Sequence, residues 1–143
     1  MAGEMFSAAR GRGATLNGAA LRVSGADELS TALLATGFSY DRVIRRGQAE
    51  RLVTVVTATR DVRRGGSAAL DLCAVAAGRV DAYFEEQLNS WDVAAGVLIA
   101  AEAGAFVSDY DGSARRPGRV LASAPGIHRE VVALLTRTPL DGR

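Results

Sequence analysis

The sequence predicts an α/β fold of the sandwich (α+β) type, in which helices cover a sheet. From about residue 29 onward, short apolar or β-branched runs alternate with segments of helical periodicity. Before residue 25 the chain reads instead as short strands broken by glycine turns. Length and composition set the scale. The 143 residues are 48% hydrophobic and carry both signs of charge, enough to close one core and too apolar for a disordered chain.

Residues 4–24 predict strands over 5–10, 14–16 and 21–23. Asn17-Gly18 is a two-residue hairpin signal, because such turns need positive φ at both central positions. Gly11-Arg12-Gly13 marks the other turn, and it lacks the third glycine and the following helix of a dinucleotide-binding loop. A strand over 33–36 comes next, then an amphipathic helix over 48–60 with Leu52, Val55 and Val56 inward, and a strand over 62–64. The pattern continues with a helix over 67–77 ended by Gly78, a strand over 80–85 and a helix over 92–103 ended by Gly104. Strands over 105–108 and 120–123 and a helix over 127–136 complete it. The small residues Ala68, Ala69, Ala76 and Ala77 of one helix, and Ala94, Ala95, Gly96, Ala100 and Ala101 of the next, point to close packing on the sheet. Segments 39–47 and 111–118 read as the irregular, soft parts. Three organisational units follow: 1–26, 27–138 and a short tail, 139–143.

Composition excludes several classes of function. The formal net charge is +1, and the basic side chains are scattered arginines with no lysine, so no basic stripe of the nucleic-acid-binding kind exists. The longest apolar run, near 93–101, is too short to cross a bilayer. The single cysteine, Cys73, lies in an apolar helical run, fits a core position and a reducing cytoplasm, and has no nearby histidine to make it a nucleophile. The lone His128 sits among surface-like residues.

Two stretches carry chemistry. In Ser90-Trp91-Asp92-Val93-Ala94-Ala95-Gly96, a carboxylate beside the only tryptophan falls in the first turn of a buried helix, with Ser90 as the expected N-cap. There Asp92 stays ionised with its oxygens held in one direction, which suits either helix initiation alone or ligation of a hard cation. In Gly65-Gly66-Ser67-Ala68, a turn leads into a helix whose first N–H groups are free for an anion or a hydroxyl, with Ser67 as N-cap. Glu85 and Glu86 end a strand and point to opposite faces, and each reads as a site group or as a solvated charge.

The Trp91-Asp92-x-Ala94-Ala95-Gly96 string resembles the C-terminal signature of the inositol monophosphatase family, magnesium-dependent and lithium-sensitive phosphatases. Further matches run in the family's order: 4–18 (Glu4 to Gly18), Ala35-Thr36-Gly37-Phe38 with Tyr40-Asp41-Arg42, Gly66-Ser67-Ala68-Ala69-Leu70, and Gly78-Arg79-Val80-Asp81-Ala82-Tyr83. They span nearly the whole chain, from about residue 3 to about residue 125. The resemblance implies the C-terminal portion of the layered α-β-α-β-α sugar-phosphatase fold, with a mixed sheet. It also implies that residues 1–26 are the trailing strands of an N-terminal domain lying before this chain, with 5–10 as an orphaned edge.

By the same resemblance, Asp92 is a magnesium ligand that also faces substrate, Glu85 hydrogen-bonds a substrate hydroxyl, and Gly66 and Ala68 line the pocket. Arg63 matches a basic position at a subunit contact or pocket rim. The implied reaction is metal-assisted attack of water on a small-molecule phosphomonoester such as inositol monophosphate, by a homo-oligomer, a dimer. Family members are about twice as long, and their remaining metal ligands, a Glu and an Asp-Pro-(Ile/Leu)-Asp-Gly-Thr motif, have no counterpart here. Thr138-Pro139-Leu140-Asp141-Gly142-Arg143 imitates that motif without its first Asp or its closing Thr. The chain alone is therefore expected to be inactive. The alternatives are a non-catalytic interaction or subunit fragment, or a related phosphatase acting on histidinol phosphate, a nucleotide 3'-phosphate or fructose bisphosphate.

Overall fold

A computed structural model describes residues 3–137. The chain begins with β1 (Phe6–Ala8), β2 (Ala14–Leu16) and β3 (Ala19–Ala20), an antiparallel three-stranded sheet in the order β1-β2-β3. The hairpin between β2 and β3 turns on Asn17 and Gly18, at φ of 50° and 84°, as the Asn-Gly pair predicts. The strand expected over 21–23 is instead shifted to Ala19–Ala20, because the two-residue turn lets pairing resume at once with Leu16 facing Ala19.

The remainder alternates: β4 (Leu33–Thr36), α1 (Arg42–Ala58), β5 (Asp61–Arg63), α2 (Ala68–Ala76), β6 (Ala82–Glu86), α3 (Ser90–Glu102), β7 (Phe106–Ser108), β8 (Arg119–Ser123) and α4 (His128–Arg137). A second sheet runs in the order β5-β4-β6-β8-β7. It is mixed, with β4 parallel to β5 and β6, and β8 antiparallel to β6 and β7. The parallel pairs follow from the helical crossovers α1 and α2, and the antiparallel ones from β8 returning beside β6 after β7.

The period-2 alternation of the strands sorts their side chains onto two cores. Leu34, Ala82, Phe84 and Leu121 face α1 and α4, where they meet Val55, Val131 and Leu135. Ala35, Tyr83, Val120 and Ala122 face α2 and α3, where they meet Leu72, Val75 and Val93. The outer side of α2 and α3 is covered in turn by the small sheet, with Ala14 and Phe6 against Cys73, Ala76, Ile99 and Ala103. The layers are thus α1/α4, large sheet, α2/α3, small sheet, four of the five expected. Glu102 ties the last two together, its carboxylate accepting the Gly11 and Gly13 N–H groups at 2.8 Å each.

Several local expectations are corrected. Residues 42–47 of segment 39–47 are the first part of α1, capped by Asp41, which accepts from Val43 N–H at 2.8 Å and Ile44 N–H at 3.1 Å. Val55 faces the core as expected, but Val56 is exposed, and the buried polar residues of α1 are Gln48 and Arg51. Ala94, Ala95 and Ala101 are exposed. Ala68 and Ala100 pack on the sheet as expected, and the small residues also bring α2 onto α3: a Cβ at Gly96 would lie 2.7 Å from the Leu72 Cβ. The N-cap of α3 is Asn89, one residue earlier than Ser90. In segment 111–118, Arg116 is tied to Asp109 at 2.7 Å and to Asp111 at 2.9 Å. The sequence 138–143, which imitates a phosphatase motif, lies outside the described residues.

Candidate active-site pocket

The ends of β4 and β6, the turn after β5 and the first turn of α3 open onto one pocket of about 360 Å³. Gly66, Ala68, Glu85 and Asp92, the four residues that the family resemblance assigns to a site, all line it. Each arrives by a local device. Gly66 takes φ of 98°, in the left-handed region open to glycine, and Ser67 then caps α2 by accepting the Leu70 N–H at 3.4 Å. Glu85 follows Tyr83 on the α2/α3 face of β6 by strand alternation. Asp92 is the third residue of α3, and its Oδ2 accepts the Asn89 N–H at 2.9 Å.

The Glu85 carboxylate is fixed from two sides. The buried Tyr83 hydroxyl donates to its Oε2, and its atoms lie against Gly37, where any Cβ would approach them to 2.2 Å. Burial pushes the carboxyl above the usual glutamate range and the Asp92 charge adds to this, while the Tyr83 hydrogen bond and the Arg64 charge pull it down. Behind it, Asp71 is buried in the first turn of α2 and its carboxyl is also raised, by burial and then by the Glu85 charge. Asp71 Oδ1 occupies the space a Cβ at Gly65 would need, at 2.3 Å.

The positive charge of the pocket comes from Arg64. Arg63, the arginine singled out from the sequence, is exposed and ion-paired with Asp61. Arg64, Asp71 and the Tyr83 hydroxyl are the site groups that sequence reasoning missed. The alternation of β5 signals that Arg63 and Arg64 diverge, though not which of the two reaches the pocket. Phe38, Tyr40 and Trp91 also line the pocket, Trp91 and Tyr40 being 80% and 93% exposed.

Glu86, adjacent to Glu85, is corrected from a solvated charge to a buried one. It lies on the α1 side, 7% exposed, with its Oε1 accepting from Arg51 Nη1 at 2.9 Å and its Oε2 3.4 Å from Arg119 Nε. His128 is likewise no surface residue. It is half-buried between Ser123, 2.7 Å from Nδ1, and Ser108, 3.0 Å from Nε2, with the Phe106 ring edge-on, and burial lowers its pKa.

The arrangement can hold a polar ligand: two carboxylates, one guanidinium and a helix N-terminus converge on a partly apolar cleft. It does not by itself fit a magnesium ion. One Asp92 oxygen is taken by the helix cap, and among the described residues no group of three or more His, Cys, Asp or Glu side chains is placed to hold a metal.

Comparison with known proteins places this pocket in context. The model of the inositol monophosphatase family matches residues 1–138. Inositol-1-monophosphatase SuhB of Mycobacterium tuberculosis is 55% identical over 138 residues, which cover 93% of this chain and 48% of that protein. Nus factor SuhB of Vibrio cholerae is 45% identical over 148 residues, covering 99% and 53% respectively. The solved inositol monophosphatase from Anabaena (Nostoc) sp. superposes with a TM-score of 0.89 at 44% identity, over 95% of this chain and 55% of that one. The chain spans about half the length of the curated relatives it matches.

Proposed function

We propose, from the inositol monophosphatase family to which this chain belongs, that it forms the substrate side of a magnesium-dependent phosphomonoesterase pocket acting on a small polyol or sugar phosphate. The observation that supports this is the convergence of Glu85, Asp92, Gly66 and Ala68, with Arg64, on one cleft. In this reading the free oxygen of Glu85 accepts a substrate hydroxyl, with the carboxylate aimed by the Tyr83 hydroxyl and by Gly37. The Gly66–Ala68 turn, whose Gly66 and Ser67 N–H groups are held by the Asp71 carboxylate, forms the wall against the same ligand, and Arg64 offsets the negative charge that a phosphate would otherwise meet. If magnesium is held here, the second oxygen of Asp92 would be one of its ligands and the metal would supply charge neutralisation of the phosphate. The other ligands, and the groups that activate water, must come from carboxylates outside the described set, so the chain alone is inactive. We place the protein in the cytoplasm, as a dimer.

Complementation tests this reading. The chain is mixed with a separately expressed N-terminal half of a relative, and phosphate release from inositol monophosphate is assayed with magnesium. Activity confined to the mixture, inhibited by lithium and lost in D92N, is the expected result; turnover by the chain alone would refute the division of labour. A second reading, a partner-binding role, is favoured by relatives named Nus factor, 45% identical to this chain in Vibrio cholerae. It predicts that D92N leaves partner capture unchanged while abolishing the complemented activity.

A further inference from the structure

The turn from β5 into α2 is made of two adjacent glycines, and each is closed by a charged side chain. Arg64 Nη1 lies against Gly66, where a Cβ would come within 2.6 Å of it. The Asp71 carboxylate lies against Gly65, and the three atoms nearest the place of a Cβ there all belong to it. Gly66 takes φ of 98°, whereas Gly65 is outside the left-handed region, so the backbone of Gly65 would accept alanine and what stands in the way is Asp71.

The same carboxylate accepts from the backbone N–H groups of Gly66 and Ser67, and the Asp71 N–H donates to the Ser67 carbonyl at 2.8 Å. Asp71 thus fastens three consecutive residues from within α2. A glycine pair has more conformations to lose than any other dipeptide, and hydrogen bonds to an ionised carboxylate are among the stronger means of holding it in one. Arg64 depends on the same turn, since it is in no ion pair among the described residues that would fix its position otherwise. Asp71 itself is buried behind the lining of the pocket and cannot meet a ligand there.

Resting on the reading of this cleft as a substrate pocket, we infer that Asp71 is a positioning residue, whose carboxylate clamps the Gly65–Ser67 turn and thereby sets both the Gly66–Ala68 wall and the place of the Arg64 guanidinium. Gly65 is the other half of the device. It lacks a side chain because the clamp occupies that space.

A double-mutant cycle on the full chain tests this. In the unmodified chain the Gly66 and Ser67 amide protons should resonate downfield and exchange slowly, and the Arg64 side chain should give cross-relaxation peaks to the Gly66 α-protons. D71A should move both amides upfield and remove those peaks. G65A should do the same, because its methyl group drives the carboxylate out of the turn. In the G65A/D71A double variant no carboxylate is left to displace, so G65A should add nothing to D71A. Additive effects, or a folded D71A in which amides and peaks are unchanged, would overturn the inference. D71N keeps the shape of the side chain and one acceptor oxygen, so it covers the case in which D71A does not fold; unchanged amides in D71N would be equally fatal. In the complemented mixture D71N should raise KM for inositol monophosphate on the order of tenfold, with kcat changed less than about twofold; an unchanged KM would count against a positioning role. A wild-type mixture without turnover would refute the phosphatase reading of the pocket instead, and the amide and Arg64 signals would still decide whether Asp71 holds the turn.

Discussion

Glu85 and Glu86 are chain neighbours of identical chemistry, and their surroundings differ in nearly every respect. Glu86 faces α1 and α4 and meets two arginines, Arg51 and Arg119, within an apolar core. Glu85 faces α2 and α3 and meets a phenol, a glycine and a pocket, with other carboxylates nearby and Arg64 as the one cation acting on it. A buried carboxylate between cations is satisfied and serves the structure. One whose charged form burial disfavours, in a cleft open to a ligand, is arranged as functional-site carboxylates are.

The same substitution at the two positions should therefore have opposite signs. E86Q removes the charge that Arg51 needs in a buried place, so unfolding in urea should show a loss of about 3–5 kcal/mol. A loss below about 1 kcal/mol would mean that Arg51 escapes to solvent and the cluster is not rigid. E85Q removes a charge that burial penalises, and at neutral pH it should stabilise the chain by about 0.5–2 kcal/mol, as functional-site substitutions do. Destabilisation by E85Q would place Glu85 with Glu86 as a structural residue.

Smaller effects sharpen the contrast. The folded-state pKa of Glu85 is raised, so its contribution to stability is fully present below the unfolded glutamate pKa and is lost as pH rises through the folded value. Thermal unfolding should accordingly show a pH-dependent decline in that window that is absent in E85Q. His128 acts with the opposite sense. Its folded pKa is lowered, so stability present above the unfolded histidine pKa is lost as pH falls toward the folded one, and H128Q should flatten that limb of the profile. The least effect on stability is expected from R64A, within about 0.5 kcal/mol for an exposed side chain. Carbon-13 titration of that variant should nevertheless show the Glu85 pKa raised further, since the Arg64 charge holds it down.

The sequence by itself determined the order of elements, the hairpin at Asn17-Gly18, the cap at Ser67 and the divergence of Glu85 from Glu86, while the grouping of Gly66, Ala68, Glu85 and Asp92 came from the family resemblance. Each feature of the first kind is written locally, in a glycine that permits positive φ, a cap three residues from its N–H, or the alternation of a strand. The tertiary structure alone decided what pairs across long distances in the chain. Arg51 and Glu86 are 35 residues apart, and a pattern that ranks charged residues as exposed could not bury both. The first turns of α1 likewise escaped the apolar pattern, because Arg42 to Gly47 are not buried and rest on the Asp41 cap and helix propagation. His128 read as surface until β7 and β8 brought Ser108 and Ser123 to its two nitrogens. Which of Arg63 and Arg64 faced the pocket depended on where β5 ended, a boundary set by its pairing with β4 rather than by its own residues.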